Sequence, residues 1–312
     1  MNRKGLLNKA YQRGHLLSAG NNLYKKWIDK FIIEEIEGDI GKGDITSDSV
    51  LKKGKSVKAV VYSRSEGILA GVEEVFPLLR KYKLNVNWLK DDGDRIKKGS
   101  KLLILSGNEK NILKLERSVL DILSRMSGIA TLTNVLIKKT KGKVGIAPTR
   151  KTQWRYLDKK AVCIGGGLTH RLALWESILI KDNHLAALKR EGVKDVIETA
   201  IHRAWENRKK GNFIEIEVFN EKQAIRAAKV FKELKNTDYP CIIMLDNIKP
   251  KKIKSIIKKL KKNKLYNHIL IEASGNIMPE NIKTYAASGV DVLSLGYLTK
   301  SSRALDIKLR IE

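Results

Sequence analysis

Cys241-Ile-Ile-Met-Leu-Asp-Asn247 is an apolar run closed by an acid and an amide, and the pattern recurs along the second half of the chain. Val144–Ala147 runs into Thr149-Arg-Lys151, Ala161–Ile164 into Gly165-Gly-Gly167, and Ile178–Ile180 into Lys181-Asp-Asn-His184. Phe213–Val218 carries Glu215 and Glu217, Ile269–Ala273 precedes Ser274-Gly-Asn276, and Val290–Leu295 precedes Gly296. Helical segments separate several of these runs, over 221–235, 249–262 and 279–287. Apolar strands alternating with helices, with polar residues at the strands' carboxyl ends, mark an α/β barrel whose polar ends converge at one mouth. The functional site is expected there.

Upstream the pattern differs. Residues 1–22 are polar and basic without a strong period and read as a mobile extension. Residues 23–37 read as an amphipathic helix, and Gly38–Thr46 as a glycine- and aspartate-rich loop. Short β runs follow at Val57–Tyr62, Gly67–Ala70, Val86–Leu89 and Leu102–Leu105, interrupted by a helix around 73–81. The turn-rich Asp91–Gly99 is of the kind found in lipoyl-type domains, but it lacks the hairpin that carries a modified lysine, so its expected role is structural. Residues 113–137 read as a long helix with Val119, Ile122, Leu123 and Met126 on one stripe and Arg117 opposite, near Asp121.

Of the 312 residues, 42% are hydrophobic and 31% charged, enough apolar content for a core. The longest apolar runs fall short of the roughly 20 residues a membrane helix needs, and no signal peptide is read. Cys163 and Cys241 both sit in apolar runs and read as buried free thiols, which points to the cytoplasm. The net charge of +28 invites a nucleic-acid reading. However, the lysines are dispersed, and the densest run, Lys249–Lys264, places Ile253, Ile256, Ile257 and Leu260 at helical spacing. That is an amphipathic helix with a solvated lysine face. With no base-reading motif, neither a specific nucleic-acid partner nor a membrane is expected.

Chemistry concentrates at the run ends. Arg150/Lys151 and His170/Arg171 flank the glycine triplet, and Lys181 follows an apolar run. Such spacing gathers cations and bare backbone around a small, highly anionic molecule. Arginine's planar fork suits a carboxylate, making two parallel charge-assisted bonds. Glu217 and Asp246, at the ends of apolar runs, offer oxygen ligands to a divalent metal. Glu215 shares a strand face with Glu217 and is a weaker candidate. Asp246 could instead cap the following loop. Gly165–Gly167 could admit phosphate or merely allow tight packing, and His184 could be a structural hydrogen-bonder or a site residue. The residues point to an enzyme acting on a phosphorylated, acidic substrate.

Asp44-Ile-Thr46, Glu116-Arg117, Ser127-Gly-Ile-Ala-Thr131, Thr149-Arg-Lys-Thr152, Ala161-Val162, Gly165-Gly-Gly167, His170-Arg171, Ile180-Lys-Asp-Asn-His184, Met244-Leu-Asp-Asn247, Glu272-Ala-Ser-Gly-Asn276 and Ser294-Leu-Gly-Tyr-Leu-Thr299 occur in one order. Over residues 23–312 the chain resembles the quinolinate phosphoribosyltransferases, the carboxylating nicotinate-nucleotide diphosphorylases of NAD synthesis. The resemblance implies an α/β fold in which an N-terminal α/β sandwich domain (23–112, with the tail from about 298 to 312 packed on it) precedes an incomplete α/β barrel (113–297). It also implies a homodimer or higher even oligomer with shared sites.

The implied reaction joins quinolinate to phosphoribosyl diphosphate and gives nicotinate mononucleotide, diphosphate and carbon dioxide. Arg117 (from a second subunit), Arg150, His170 and Arg171 match quinolinate-holding positions. Lys151 and Lys181 match positions near quinolinate and the phosphoribosyl phosphates, Glu217 and Asp246 match Mg²⁺ positions, and Ser274, Gly275 and Gly296 match phosphate-gripping turns. Lys151, Lys181, Glu217 and Asp246 are thereby the catalytic candidates. Two departures stand out. Gln153-Trp154-Arg155 replaces a Pro-Gly usual in the family, and a short insertion lies between Glu217 and Asp246, expected in the helix at 221–235 or the loop after it. Two rival readings are a same-fold transferase of the molybdenum-transport-associated type and a basic nucleic-acid-binding protein.

Overall fold

In a computed structural model, which describes residues 2–235 and 238–312, the chain opens with a helix, α1 (Arg3–Tyr11). The Asn2 side chain caps it by accepting from the Gly5 N–H at 2.9 Å. Leu6, Ala10 and Tyr11 are buried, on a stripe too short to register as a period in a polar segment. Arg3 anchors the start of the helix. Its guanidinium pairs with the Asp291 carboxylate, donates to the carbonyls of Tyr266 and Ile269, and lies 3.9 Å from the centre of the Tyr266 ring. The reading of residues 1–22 as a mobile extension is thereby corrected.

The chain divides into two units. One comprises residues 14–134, 156–166 and 301–312. Its strands are β1 (Ser56–Ser63), β2 (Gly67–Ile68), β3 (Asn85–Trp88), β4 (Arg95–Ile96) and β5 (Lys101–Asn108). The chain's last strand, Ile307–Ile311, returns to pair antiparallel with β1, which pairs with β5 and so with β3. Its helices are α2 (Asn22–Ile40), α3 (Ile45–Val50), α4 (Val72–Lys81), most of α5 (Glu109–Lys139), and α6 (Tyr156–Ile164). Along α2, Tyr24, Ile28, Ile32 and Ile36 are buried at a spacing of four, one helical face. By length and composition α5 could cross a membrane, which the short apolar runs of the sequence did not suggest, but more than half of its most apolar stretch is buried. Val119, Leu123 and Met126 are fully buried core residues.

The run Ala161–Ile164, read as a barrel strand, is instead the end of α6. Periodicity over four apolar residues does not separate strand from helix. What fixes the helix lies outside the run. Asp158 takes a two-pronged bond from Arg125, at 2.8 Å on each oxygen, and Lys160 pairs with Glu73 and Glu74. Gly165 then packs against α5, because a Cβ there would meet the Ala130 carbonyl oxygen at 2.3 Å. Packing is the role this structure gives that glycine.

The other unit comprises residues 2–13, 135–155 and 167–300. Its six strands are β6 (Gly145–Pro148), β7 (Ile178–Ile180), β8 (Ile214–Val218), β9 (Cys241–Asp246), β10 (Leu270–Ser274) and β11 (Val292–Leu295), all parallel in the order β6-β11-β10-β9-β8-β7. The ends of that order, β6 and β7, leave the barrel open. Between the strands lie α7 (Asp182–Arg190), α8 (Val196–Glu206), α9 (Glu221–Glu233), α10 (Pro250–Lys262) and α11 (Ile282–Ala286), with α12 (Tyr297–Lys300) last. Helix α10 buries Ile253, Ile256, Ile257 and Leu260, as its spacing predicts. Where the insertion was expected, α9 ends at Glu233, and residues 236 and 237 of the following loop lie outside the described residues.

Register decides what lines the interior. Glu215 stands beside Ile242, Glu217 and Glu272 beside Met244, and Ser274 beside Asp246. Side chains alternate faces, so Leu270, Glu272 and Ser274 share one face with Ile242, Met244 and Asp246, and with Glu215 and Glu217. That face runs from apolar at the amino ends to charged and polar at the carboxyl ends. Its apolar floor, with Phe213, Ile242, Leu270 and Val292, clusters with Leu6, Ala10 and Tyr11 of α1. Helix α1 therefore supplies part of the core that an open barrel lacks.

Candidate active site

The candidate residues gather at the carboxyl ends of the parallel strands. Arg150 and Lys151 follow β6 and are exposed. The Lys151 carbonyl accepts from the Thr299 hydroxyl at 2.7 Å, tying this loop to α12. Gly296 lies alongside, where an added Cβ would sit 3.5 Å from the Thr149 hydroxyl and 3.6 Å from Lys151 Cδ.

Lys181 ends β7, and its ammonium pairs with Glu217 at 2.5 Å. Its backbone N–H donates to His184 Nδ1 at 2.9 Å, so His184 serves as a cap of α7. Glu217 and Asp246 project from one face of adjacent strands, and Asp246 stands one step nearer the mouth. One oxygen of Glu217 takes Lys181, and one oxygen of Asp246 accepts from the Asn247 amide at 2.8 Å. The Asn247 N–H donates to the Ser274 carbonyl at 2.9 Å and Asn276 donates to the Asn247 side chain at 3.0 Å, so Asn247 staples the loops after β9 and β10. Gly275, at φ +90°, is required there. A Cβ would lie 2.3 Å from Asn247 Oδ1 and 2.8 Å from its backbone nitrogen.

His170 and Arg171 are both buried, at 4% and 5% exposure. The Arg171 guanidinium donates to the Ser177 carbonyl at 3.3 Å, and its Nε has no hydrogen-bond partner among the described residues. Burial, and then the charge of Arg150, hold its pKa below the usual arginine value, against the pull of Glu215 and Glu217. A buried guanidinium with an idle donor, within the electrostatic reach of Arg150, suits an anion.

His170 turns inward. Its Nε2 lies 3.2 Å from Glu215 and 3.4 Å from Glu272, both fully buried. Burial alone would lower its pKa, but Glu272 and Glu215 outweigh it and raise the group to about 9. Burial and Glu272 push Glu215 up, while His170 holds Glu272 below its usual value. The Arg171 N–H lies 2.6 Å from Nδ1, so Nε2 carries a hydrogen that faces the two carboxylates. Together the three groups hold more protons than they would in water. The fourth member is Tyr11, whose hydroxyl donates to Glu272 at 2.6 Å.

Sequence reasoning missed Tyr11 and gave Glu272 no role. Tyr11 lies in a polar segment 261 positions from its partner, beyond any local signal. Glu272 was recoverable, as the second acid on the inward face of a strand. Arg117 is on α5, exposed and paired with Asp121 at 3.3 Å.

Family models match most of the chain: the quinolinate phosphoribosyl transferase N-terminal domain over residues 44–127 and its C-terminal domain over 129–310. A probable carboxylating nicotinate-nucleotide pyrophosphorylase of Methanothermobacter thermautotrophicus is 37% identical over 90% of this chain and 97% of its own length. One from Bacillus subtilis is 35% identical over 92% and 93%. The solved nicotinate-nucleotide pyrophosphorylase of Francisella tularensis superposes with a TM-score of 0.78 at 29% identity, covering 91% of this chain and 96% of that one. With both domains matched in order on a sandwich and an open parallel barrel, the chain belongs to the quinolinate phosphoribosyl transferase family.

Proposed function

We propose that the protein transfers the phosphoribosyl group of phosphoribosyl diphosphate to quinolinate, releasing diphosphate and carbon dioxide and yielding nicotinate mononucleotide for NAD synthesis. The observation that carries this reading is Arg171, a buried arginine with an idle Nε–H that feels the charge of Arg150. Guanidinium forks suit a ring with adjacent carboxylates, and Arg150 and Arg171, with Lys151 and Lys181, meet the charge of two multiply anionic substrates. A second copy of the chain supplies Arg117 in a homodimer; its exposed side chain, engaged among the described residues in a surface pair within its own helix, supports that role.

In the transfer, the pyridine nitrogen attacks the anomeric carbon as the bond to diphosphate breaks. Arg150 and Arg171 hold the carboxylates so that the nitrogen faces that carbon, an ordering that removes entropy from the barrier. Lys151 and Lys181 stabilise charge gathering on the leaving diphosphate. Ser274, Gly275 and Gly296 present hydroxyl and backbone to phosphate oxygens. The new bond leaves the ring nitrogen positive; when the neighbouring carboxylate departs as carbon dioxide, its bonding pair stays on the ring carbon, stabilised by the adjacent positive nitrogen, and a proton from solvent then takes up that pair.

Glu217 and Asp246 fit Mg²⁺, since each keeps a carboxylate oxygen that is not engaged by Lys181 or Asn247, and both project from one strand face. These two carboxylates would hold the ion, and an ion there would supply positive charge against the leaving diphosphate. Cys163 and Cys241, in no disulfide among the described residues, support a reducing compartment such as the cytoplasm.

Calorimetry with quinolinate and with nicotinate tests the substrate assignment. Quinolinate is expected to bind at least tenfold more tightly, since one fork–carboxylate pair contributes about 1.5–3 kcal/mol, and Arg171→Lys should remove most of that preference. Equal affinity for both acids contradicts the reading.

A further inference from the structure

The helix α1 and the two residues after it touch the loop that carries His170 and Arg171 along two separate routes. One comes from below. Tyr11 is fully buried, its ring stacked against Phe213 at 5.7 Å and edge-on to His170 at 5.5 Å. Its hydroxyl donates to Glu272 Oε2, and the other oxygen of Glu272 faces His170 Nε2. A phenylalanine would fill the same space, so what tyrosine adds is the bond that aims this carboxylate.

The second route comes from the side. The Tyr11 carbonyl accepts from both the backbone N–H and the hydroxyl of Thr169. The Arg13 N–H donates to the Thr169 hydroxyl at 3.2 Å. The Arg13 guanidinium pairs with Glu176 at 3.0 Å, and the other Glu176 oxygen accepts from the Leu172 N–H. Residues on both sides of the His170-Arg171 pair are therefore tied to residues 11–13.

His170 needs such ties. Its φ of +51° is left-handed, a conformation that a side chain with a Cβ holds only when its surroundings impose it. Here its imidazole is fixed between two carboxylates on one edge and the Arg171 N–H on the other. That geometry sets where the next residue, Arg171, projects its guanidinium.

We propose that residues 11–13 brace the loop 169–176, with Tyr11 and Arg13 as positioning residues that hold His170 and Arg171 ready for the dicarboxylate substrate. The choice of substrate rests on the reading above; the brace itself does not. The segment lies upstream of residues 44–310, which the family models match. At its far end it is fixed by Arg3 on Asp291.

Two full-length variants test it. Tyr11→Phe keeps the ring and deletes one hydroxyl; Arg13→Met keeps the stem and deletes the guanidinium. Amide hydrogen exchange is measured by peptide mass spectrometry, with KM for quinolinate and for phosphoribosyl diphosphate. The brace predicts exchange at 169–176 faster by roughly tenfold or more in each variant, with the rest of the chain unchanged. It also predicts a several-fold rise in quinolinate KM, an unchanged KM for phosphoribosyl diphosphate, and a nearly unchanged melting temperature. Wild-type exchange and wild-type quinolinate KM in both variants would overturn it. So would exchange quickened evenly along the chain with both KM values rising together, the mark of general loosening. A wild-type protein that does not turn over quinolinate refutes the substrate reading alone, and exchange at 169–176 still decides the brace.

Discussion

His170 and Arg171 are neighbours in sequence with opposite tasks. Arg171 keeps a buried Nε–H without a partner among the described residues, while His170 turns inward to the carboxylates of Glu215 and Glu272. The sequence marks both as cations at a glycine-flanked turn, but their division of labour depends on Glu215, Glu272 and Tyr11, none of them near in the chain. Because the carboxylates raise the His170 pKa to about 9, the folded protein holds that proton more tightly than the unfolded chain. The sign follows: His170 contributes stability that is fully present below its unfolded pKa of about 6.5 and is lost as pH rises through about 9. The melting temperature of wild type should therefore exceed that of His170→Gln most at pH ~6 and converge toward it by pH ~10. A difference independent of pH contradicts this account of the cluster.

At the scale of elements, the runs that became strands were legible because each alternates with a helix and ends in polar residues. Phe213–Val218 and Cys241–Leu245 correspond closely to β8 and β9. Ala161–Ile164 shared the composition but not the fate, since its helix is set by Asp158 and Lys160 pairing with Arg125, Glu73 and Glu74 far along the chain. Helix α1 was illegible for a related reason: three buried residues and Arg3 anchor it, and no period announces them. The loops after β9 and β10 depend on a glycine that the sequence displays plainly. Gly275→Ala puts a Cβ 2.3 Å from the Asn247 side chain at φ +90°. It should cost about 1–3 kcal/mol of stability in denaturant titration, from backbone strain and the displaced staple. It should also raise the KM for phosphoribosyl diphosphate more than that for quinolinate. A neutral effect on both would show that these loops yield freely.

For the whole molecule, the α/β class and the open parallel barrel were legible from the order of motifs. How a second copy completes the site is a proposal, and it has a direct trial. Arg117→Ala and Lys181→Ala should each be inactive alone. If sites are shared, a mixed dimer carries one doubly defective site and one intact site, and regains up to about half of wild-type activity by counting sites. No recovery despite proven subunit exchange would place Arg117 in its own subunit's service. The central claim is the coupling of phosphoribosyl transfer to loss of one carboxylate. Quinolinate labelled with carbon-14 in the carboxyl group next to the ring nitrogen tests it most directly, with phosphoribosyl diphosphate and Mg²⁺ present. The account predicts one labelled carbon dioxide for each nicotinate mononucleotide and each diphosphate, and no release when phosphoribosyl diphosphate is omitted. Carbon dioxide released without phosphoribosyl diphosphate, or a nucleotide that retains the label, would contradict it.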